Sequence, residues 1–299
     1  RNLKNLILLN LETGEIVNYD NECDWINSIN FTTRLSSVDG KSYITTQEGI
    51  KYLNFDKREQ EEILSYNCCN LNRYTIGKMD LYSAKDDKYI FAGIIRYDDS
   101  LNISGYGSSE IPTIVVLEKT ETNPNAGKVI ITAASIGRIE VSYPICEAIR
   151  VFNDASDEYI VQLENNYRLT DHVDYSNAET NDELMDIYYK GASELSNQLA
   201  IDMISGNGPD IILNASSFSQ IQSEDYLLDL NRYINGKKGI DKSDYFTNVI
   251  DAVKVDNKLL YMPVDFRVYG ISTNISNVST GQKGFTFDEY VKFVDEVCN

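Results

Sequence analysis

LAIDMISGNGPDII, residues 199–212, places a helix end, a turn and a strand one after another along the chain. Apolar residues recur every four positions up to Met203 and therefore share one helix face. Gly206 can adopt the left-handed conformation that closes a helix, and Pro209 cannot continue one. The apolar run 211–213 is too short for a helix and predicts a strand buried on both faces. We therefore expect a helix-to-strand crossover in an α/β domain.

The residues before this stretch extend the same alternation. Residues 128–134 predict a central parallel strand, and 141–152 predict an amphipathic helix with a proline in its first turn. A second strand is predicted over 159–163, followed by a helix over 182–205 that is interrupted at Gly191. Strands that alternate with helices predict a parallel sheet covered on both faces.

Four motifs follow one another in this half of the chain. They are GNGPD at 206–210, YLLDL at 226–230, YFTNVIDA at 245–252, and DNKLLYMPVDF at 256–266, which runs on to Asn274. Their order and spacing resemble the family 1 extracellular solute-binding proteins of bacterial ABC importers. In that family they form, in turn, a helix end, a helix, an aromatic-containing helix, and a hairpin with the first inter-lobe strand. The resemblance covers about residues 128 to 294.

The resemblance implies a periplasmic-binding-protein-like fold with two α/β lobes joined by crossing strands. Only the first lobe is complete in this chain, and residues 285–298 look like the first helix of the second lobe. The implied function is capture of a small solute, with carbohydrate the expected class, in an inter-lobe cleft that closes about residues 263–274. The captured solute would then pass to an ABC permease.

Candidate ligand-binding residues follow from one rule, since ligands of open α/β sheets bind beyond the carboxyl ends of the strands. Asn and Ser side chains offer hydrogen-bond donors and acceptors, Asp or Arg can bind hydroxyl groups, and an aromatic ring can cover a sugar face. The expected set, taken from the first strand, the third strand and the inter-lobe strand, is Ser135, Asn214, Ser216, Ser217, Phe218, Asp265, Phe266, Arg267 and Tyr269.

Several of these residues also have a purely structural interpretation. Phe266 can pack at the hinge, Asp265 and Arg267 can pair with each other, and the serines can cap the following helix. Asn214 and Ser217 stand where sugar-binding members of the family often have an aromatic residue and an acidic or amide residue. This departure leaves the ligand class open.

Residues 1–120 differ in pattern and predict short antiparallel strands. A hairpin over 6–17 has Gly14 in its turn, and the similar stretches around Tyr43 and Tyr89 are 46 residues apart. That spacing is typical of the four-stranded blades of a β-propeller, which repeat every ~40–50 residues. A closed propeller needs at least about four blades, so we expect a partial, propeller-like region of a longer polypeptide. The alternative is a self-contained β-sandwich or sheet.

The sequence thus predicts three segments. Residues 1–120 are the propeller-like antiparallel β region, the polar stretch 121–127 is a linker, and residues 128–299 are the solute-binding α/β domain with an incomplete second lobe.

Charge and composition restrict the partners. With 46 acidic and 27 basic residues, the net charge of −19 disfavours nucleic acid and anionic membranes as partners.

The five cysteines lack metal-site spacing and are expected to be small buried hydrophobes. No signal peptide or lipid-attachment cysteine stands at the start. If the resemblance holds, the protein is an extracellular lipoprotein anchored to the cell surface through an upstream segment.

Enzymatic chemistry is not indicated. The single histidine, His172, lies in a polar stretch between Asp171 and Asp174, which predicts a solvated loop in preference to a metal site. GNGPD lacks the lysine and hydroxyl residue of a phosphate-binding loop. We expect no cofactor, no metal and no catalytic residues. Two alternatives stay open: a surface interaction or adhesion module that uses the β region, and part of a larger polysaccharide-active enzyme.

Overall fold

The structure is a computed structural model that describes residues 8–9, 12–17, 25, 34–96, 110–137, 141–175, 178–237, 239–264, 266, 273–277 and 284–298. The chain divides into two compact units, Arg1–Leu228 and Asp229–Asn299. The β region and the first α/β elements therefore belong to the same unit. The role of residues 121–127 as a domain linker stays a prediction.

The first elements that the structure describes form a short hairpin. Strand β1, Leu8–Leu9, pairs antiparallel with β2, Ile16–Val17. Gly14 in the connecting turn has a φ of +70°, a conformation that glycine adopts without strain. The predicted hairpin and the role of its glycine are confirmed.

Two antiparallel sheets follow. The first has four strands in sequence order: β3 (Arg34–Val38), β4 (Lys41–Thr45), β5 (Gly49–Asn54) and β6 (Glu59–Ser65). Helix α1, Arg73–Ile76, then leads to the second sheet. That sheet has three strands: β7 (Asp80–Lys85), β8 (Lys88–Arg96) and β9 (Glu110–Glu118).

The two sheets share the predicted repeat. Tyr43 lies on β4 and Tyr89 on β8, each the second strand of its sheet. Each of these strands follows a tight turn with positive φ values, at Asp39 and Gly40 in one case and at Asp86 and Asp87 in the other. Such turns match the twist of hairpin strands. The antiparallel β region is confirmed, and its relation to a closed propeller stays a prediction.

The two sheets enclose a common hydrophobic core. Its fully buried members come from both sheets and from the segment between them, and include Ile50, Tyr66, Met79, Phe91 and Ile95. Because buried residues of both sheets belong to one cluster, this core holds the two sheets together.

The α/β layer comprises β10 (Val129–Ala134), α2 (Tyr143–Ala155), β11 (Tyr159–Glu164), α3 (Asn181–Ser205) and β12 (Ile211–Ile212). The three strands are parallel, in the order β11-β10-β12. Pro144 lies in the first turn of α2, and Gly206 ends α3 with a φ of +78°. The predicted alternation of strands and helices in one parallel sheet is confirmed.

Two details of this layer differ from the prediction. Helix α3 continues through Gly191, where a break was expected, because the glycine serves a close contact. A β-carbon at Gly191 would lie 2.3 Å from Cγ1 of Val173 and 2.9 Å from the carbonyl oxygen of His172. The missing side chain thus allows the loop to approach the helix, and the helical hydrogen bonds are kept.

The third strand is also less buried than predicted. Ile211 is 41% exposed, and Val129 and Ile130 at the start of the central strand are each 54% exposed. Strand β12 has two residues, and among the described residues it pairs with Ala133 and Ala134 of β10 alone. The sheet is therefore closely packed at its carboxyl end and open at its amino end, so the expected cover on both faces is incomplete.

The predicted helix at residues 226–230 is wrong. Residues 226–227 lie in a turn, and the following helix, α4, spans Asn231–Ile234. The carboxylate of Asp229 accepts hydrogen bonds from the backbone N–H groups of Asn231, at 3.0 Å, and Leu259, at 3.1 Å. This use of the side chain favours a turn over a continuous helix.

Two other helices of the second unit are confirmed: α5, Thr247–Ala252, and α6, Phe287–Cys298. The predicted hairpin is present as a bridge between Val255 and Lys258, with positive φ at both turn residues. The described residues within 263–274 do not form a strand. Where the structure describes the chain, no helix combines the length and the apolar composition needed to cross a membrane.

Candidate functional site

The carboxyl ends of the parallel strands meet at one edge of the α/β layer. Strand β10 ends at Ala134 and β12 at Ile212, and the two residues are register partners. Ser135 directly follows the first, and the segment 214–218 follows the second. The sheet therefore brings together the five candidate residues of the first unit, Ser135, Asn214, Ser216, Ser217 and Phe218. Their role in binding a ligand stays a prediction.

Asn214 joins the two strand-end loops. Its Oδ1 accepts a hydrogen bond from the N–H of Ile136 at 2.8 Å, and its Nδ2 donates to the carbonyl oxygen of Ile136 at 2.8 Å. The N–H of Leu213 also donates to the carbonyl oxygen of Ala134, at 2.9 Å. A side-chain amide has two donor hydrogens and two acceptor lone pairs. The two hydrogen bonds of the Asn214 side chain to Ile136 use one donor hydrogen and one lone pair. Asn214 thus positions both loops and keeps one N–H for a further partner.

The two serines lie on a 3-10 turn, Ala215–Ser217, that begins directly after Asn214. The turn is closed by the N–H of Ser217, which donates to the carbonyl oxygen of Asn214 at 3.0 Å. Ser216 and Ser217 are both exposed. The next turn, Ser219–Ile221, has Phe218 at its N-terminal cap position and no side-chain cap. The serines therefore do not cap that following turn, in contrast to the alternative interpretation.

Phe218 provides an aromatic wall beside the polar groups. Gly137 has a φ of +72°, and a β-carbon on it would lie 4.0 Å from Cζ of Phe218 and 3.5 Å from Cδ2 of Leu195. The ring thus lies next to the loop that follows β10. Hydroxyl groups, an amide and an aromatic ring on one edge are the groups that bind hydroxylated ligands.

Tyr167 belongs to the same edge and was not among the predicted residues. Its carbonyl oxygen accepts from the N–H of Gly137 at 2.8 Å, and its hydroxyl donates to Oδ2 of Asp202 at 3.1 Å. Burial, followed by this hydrogen bond, raises the pKa of Tyr167 to about 12. The sequence could have indicated Tyr167, because it lies three residues after the end of β11. The rule that ligands bind beyond the carboxyl ends of strands applies to this strand as well.

The β region also reaches this edge. Glu48, in the turn between β4 and β5, accepts hydrogen bonds from Nδ2 of Asn165 and from the guanidinium of Arg168. Both partners lie in the loop after β11. The loop is therefore held from two sides, by the parallel sheet and by a carboxylate of the first antiparallel sheet.

The inter-lobe candidates have a different outcome. Asp265, Arg267 and Tyr269 lie outside the described residues. Phe266 belongs to the second unit and is exposed, and its ring contacts that of Phe246 edge to face, with centroids 5.3 Å apart and an interplanar angle of 74°. This contact agrees with the packing interpretation of Phe266.

Metal chemistry has no candidate site among the described residues, in which no three potential metal ligands cluster. The one histidine, His172, has its Nδ1 4.0 Å from a carboxylate oxygen of Glu194 and belongs to no such cluster. Comparison with protein-family models finds no matching family, and no curated protein matches the chain significantly.

Proposed function

We propose that this chain is the solute-binding component of an ABC importer and that its ligand is a small carbohydrate. One observation carries the proposal: the carboxyl edge of a parallel sheet gathers exposed hydroxyls, a partly free amide and an aromatic ring. This is the place where open α/β sheets bind ligands. The motifs around Gly206 and Pro209 support it, because they occupy the helix end and turn expected from the resemblance.

The chemistry of this edge favours a neutral polyhydroxylated ligand. Ser135, Ser217 and Asn214 can each donate and accept hydrogen bonds, as sugar hydroxyls do. Phe218 offers an apolar face for the C–H groups of a sugar ring. The five candidate residues carry no charge, and the net charge of −19 opposes polyanions. Neutral mono- and oligosaccharides are therefore the first ligands to test.

Isothermal titration calorimetry of the chain against a panel of neutral sugars tests the proposal. For a sugar that binds in this panel, Ser217→Ala should weaken the affinity about tenfold. This is the effect of one lost hydrogen bond of ~1.4 kcal/mol. Ser205→Ala is the matched control, because Ser205 is exposed at the end of α3, before β12 and away from its carboxyl end. The control should bind as the wild type does. The proposal is refuted if no sugar binds or if Ser217→Ala and Phe218→Ala both bind normally.

The proposed cellular role follows from the resemblance. The protein would act outside the cell, anchored through a lipid on an upstream segment, and would deliver its solute to a membrane permease. Deletion of the encoding gene should then reduce cellular uptake of the sugar identified by calorimetry. Unchanged uptake would count against transport and leave ligand binding standing.

A second candidate function, an interaction or adhesion module, is favoured by the outer face of the second sheet. Large apolar side chains are exposed there on adjacent strands: Tyr82, Ile94, Ile114 and Val116. The register pairs Ala92 with Ile114, which places Ile94, Ile114 and Val116 on the face opposite to buried Phe91. Exposed apolar patches commonly mark binding surfaces.

Binding to insoluble polysaccharide separates the two functions. An adhesion module should lose binding with Ile114→Ser and keep it with Ser217→Ala, whereas a solute-binding protein should show the reverse pattern with soluble sugars.

A further inference from the structure

A small cavity lies within the first unit, between the β region and the α/β layer. Tyr66, Cys69 and Arg73 line it from the segment between β6 and β7, and Cys146, Asn153 and Leu163 line it from α2 and β11. The space open to the centre of a water-sized sphere is about 20 Å³. One water-sized species needs roughly 10–15 Å³ by this measure. The cavity therefore has room for one small species.

Arg73 brings a buried positive charge to this cavity. The residue is 8% exposed, and its guanidinium donates to the carbonyl oxygen of Leu163 at 3.0 Å and to Oδ1 of Asn67. Both acceptors are uncharged. In the part of the chain that the structure describes, no carboxylate oxygen lies within 4.0 Å of this guanidinium. Glu48, a carboxylate near enough to influence it, is bound by Arg168 and Asn165.

Tyr66 brings a hydroxyl donor to the same cavity. The residue is 1% exposed, and its hydroxyl has no hydrogen-bond partner among the described residues. Burial raises its pKa, so the hydroxyl keeps its proton. A buried polar group without a partner is rare in folded proteins because it costs the desolvation energy of that group.

The two thiols on the cavity wall do not supply a negative charge. Burial raises the pKa of Cys69, and it raises the pKa of Cys146 to about 11. Both therefore remain neutral S–H groups at physiological pH, and such groups are weak donors. The wall thus presents a guanidinium and a hydroxyl donor with no anionic group to accept from them.

We propose that this cavity binds one small monovalent anion of the halide class, held by the guanidinium of Arg73 and the hydroxyl of Tyr66. A guanidinium has five N–H donors, and only two hydrogen bonds from Arg73 are accounted for. A water molecule fits by size but leaves the guanidinium without an anion in direct contact, which is costly in a buried place. The inference does not depend on the proposed sugar-binding function.

Thermal unfolding in sodium salts tests this site. Chloride or bromide replaces gluconate, an anion too large for the cavity, at constant ionic strength. The midpoint of thermal unfolding of the wild type should rise with halide concentration, as expected for a single binding site. Tyr66→Phe keeps the ring and removes the hydroxyl donor, so the dissociation constant for the halide should rise about tenfold. Tyr89→Phe is the matched control, because Tyr89 packs against the same core and does not line the cavity.

A bromide-specific anomalous scattering peak between Arg73 and Tyr66 would establish the location. Equal midpoints in gluconate and halide would overturn the proposal and assign the cavity to water. An identical halide response in the wild type and Tyr66→Phe would overturn it as well, because the ion would then act elsewhere.

Discussion

Replacement of Asn214 by alanine should destabilise the first unit and loosen the candidate site. The side chain makes two hydrogen bonds of 2.8 Å to the backbone of Ile136, a residue that is 1% exposed. Truncation removes both bonds and leaves a shielded N–H and C=O without these partners. At roughly 0.5–1.5 kcal/mol for each bond, the free energy of unfolding should fall by about 1–3 kcal/mol.

Asn214→Asp adds a pH-dependent test of the same contact. The new carboxylate can accept from the N–H of Ile136, but its second oxygen would face the carbonyl oxygen that Nδ2 now contacts. Protonation restores the donor, so the folded-state pKa of this carboxyl should lie above its unfolded value of about 3.9. Relative to wild type, the recovered stability should be complete below that unfolded pKa. It should be lost as the pH rises through the folded pKa.

Urea unfolding followed by circular dichroism, at pH 7 and at pH 4, measures both effects as differences from wild type at the same pH. Asn166→Ala is the control, because Asn166 is exposed and its one side-chain hydrogen bond within the described part of the chain is a 3.5 Å contact with Glu164. It should change stability by less than about 0.5 kcal/mol. An Asn214→Ala protein as stable as this control would refute the positioning role. Unchanged sugar affinity in both Asn214→Ala and Arg267→Ala would also count against the proposed ligand site.

Two further predictions concern α3. Gly191→Ala should gain about 1 kcal/mol of helix propensity but lose roughly 1–3 kcal/mol to overpacking, because the new β-carbon would lie 2.3 Å from Cγ1 of Val173. Urea unfolding should show a net loss, whereas the exposed control Ser193→Ala should not, and an unimpaired Gly191→Ala would contradict the close-contact explanation. The backbone N–H groups of Glu179 and Thr180 hold the pKa of Glu183 below its usual value of 4.5. The stabilisation from this carboxylate should therefore be complete above pH 4.5 and lost as the pH falls through the folded pKa, so Glu183→Gln should show a smaller acid-induced loss, and superimposable acid curves would argue against it.

Local signals predicted the elements of the fold well. A glycine suited to positive φ and a proline soon after it are read directly from residues 206 and 209, and the end of α3 follows from them. The proline in the first turn of α2 and the period of apolar residues are equally local. These features depend on residues within a few positions of each other, which is why they could be predicted.

Features that depend on distant partners could not be read in this way. Gly191 resembles a helix breaker until the approach of Val173 is known. Asn214 resembles a wholly free amide until its partner 78 residues earlier is placed beside it and shows that it also joins two loops. The turn around Asp229 likewise depends on a backbone N–H 30 residues later, at Leu259. In each case a tertiary contact gives the residue a role that its local pattern does not show.

The parallel pairing in the α/β layer has a consequence for synthesis of the chain. The antiparallel strands pair with immediate neighbours, but Ala133 of β10 pairs with Ile211, 78 positions later. At about 5–20 residues per second on the ribosome, those positions take roughly 4–16 s to emerge. Hairpins close within microseconds, so the first two sheets can be complete while β10 still waits for β12. The nascent chain can pair one edge of β10 with β11 first, so the edge at Ala133 and Ala134 stays unpaired until β12 emerges. This makes that interval the one in which a chaperone would be most useful.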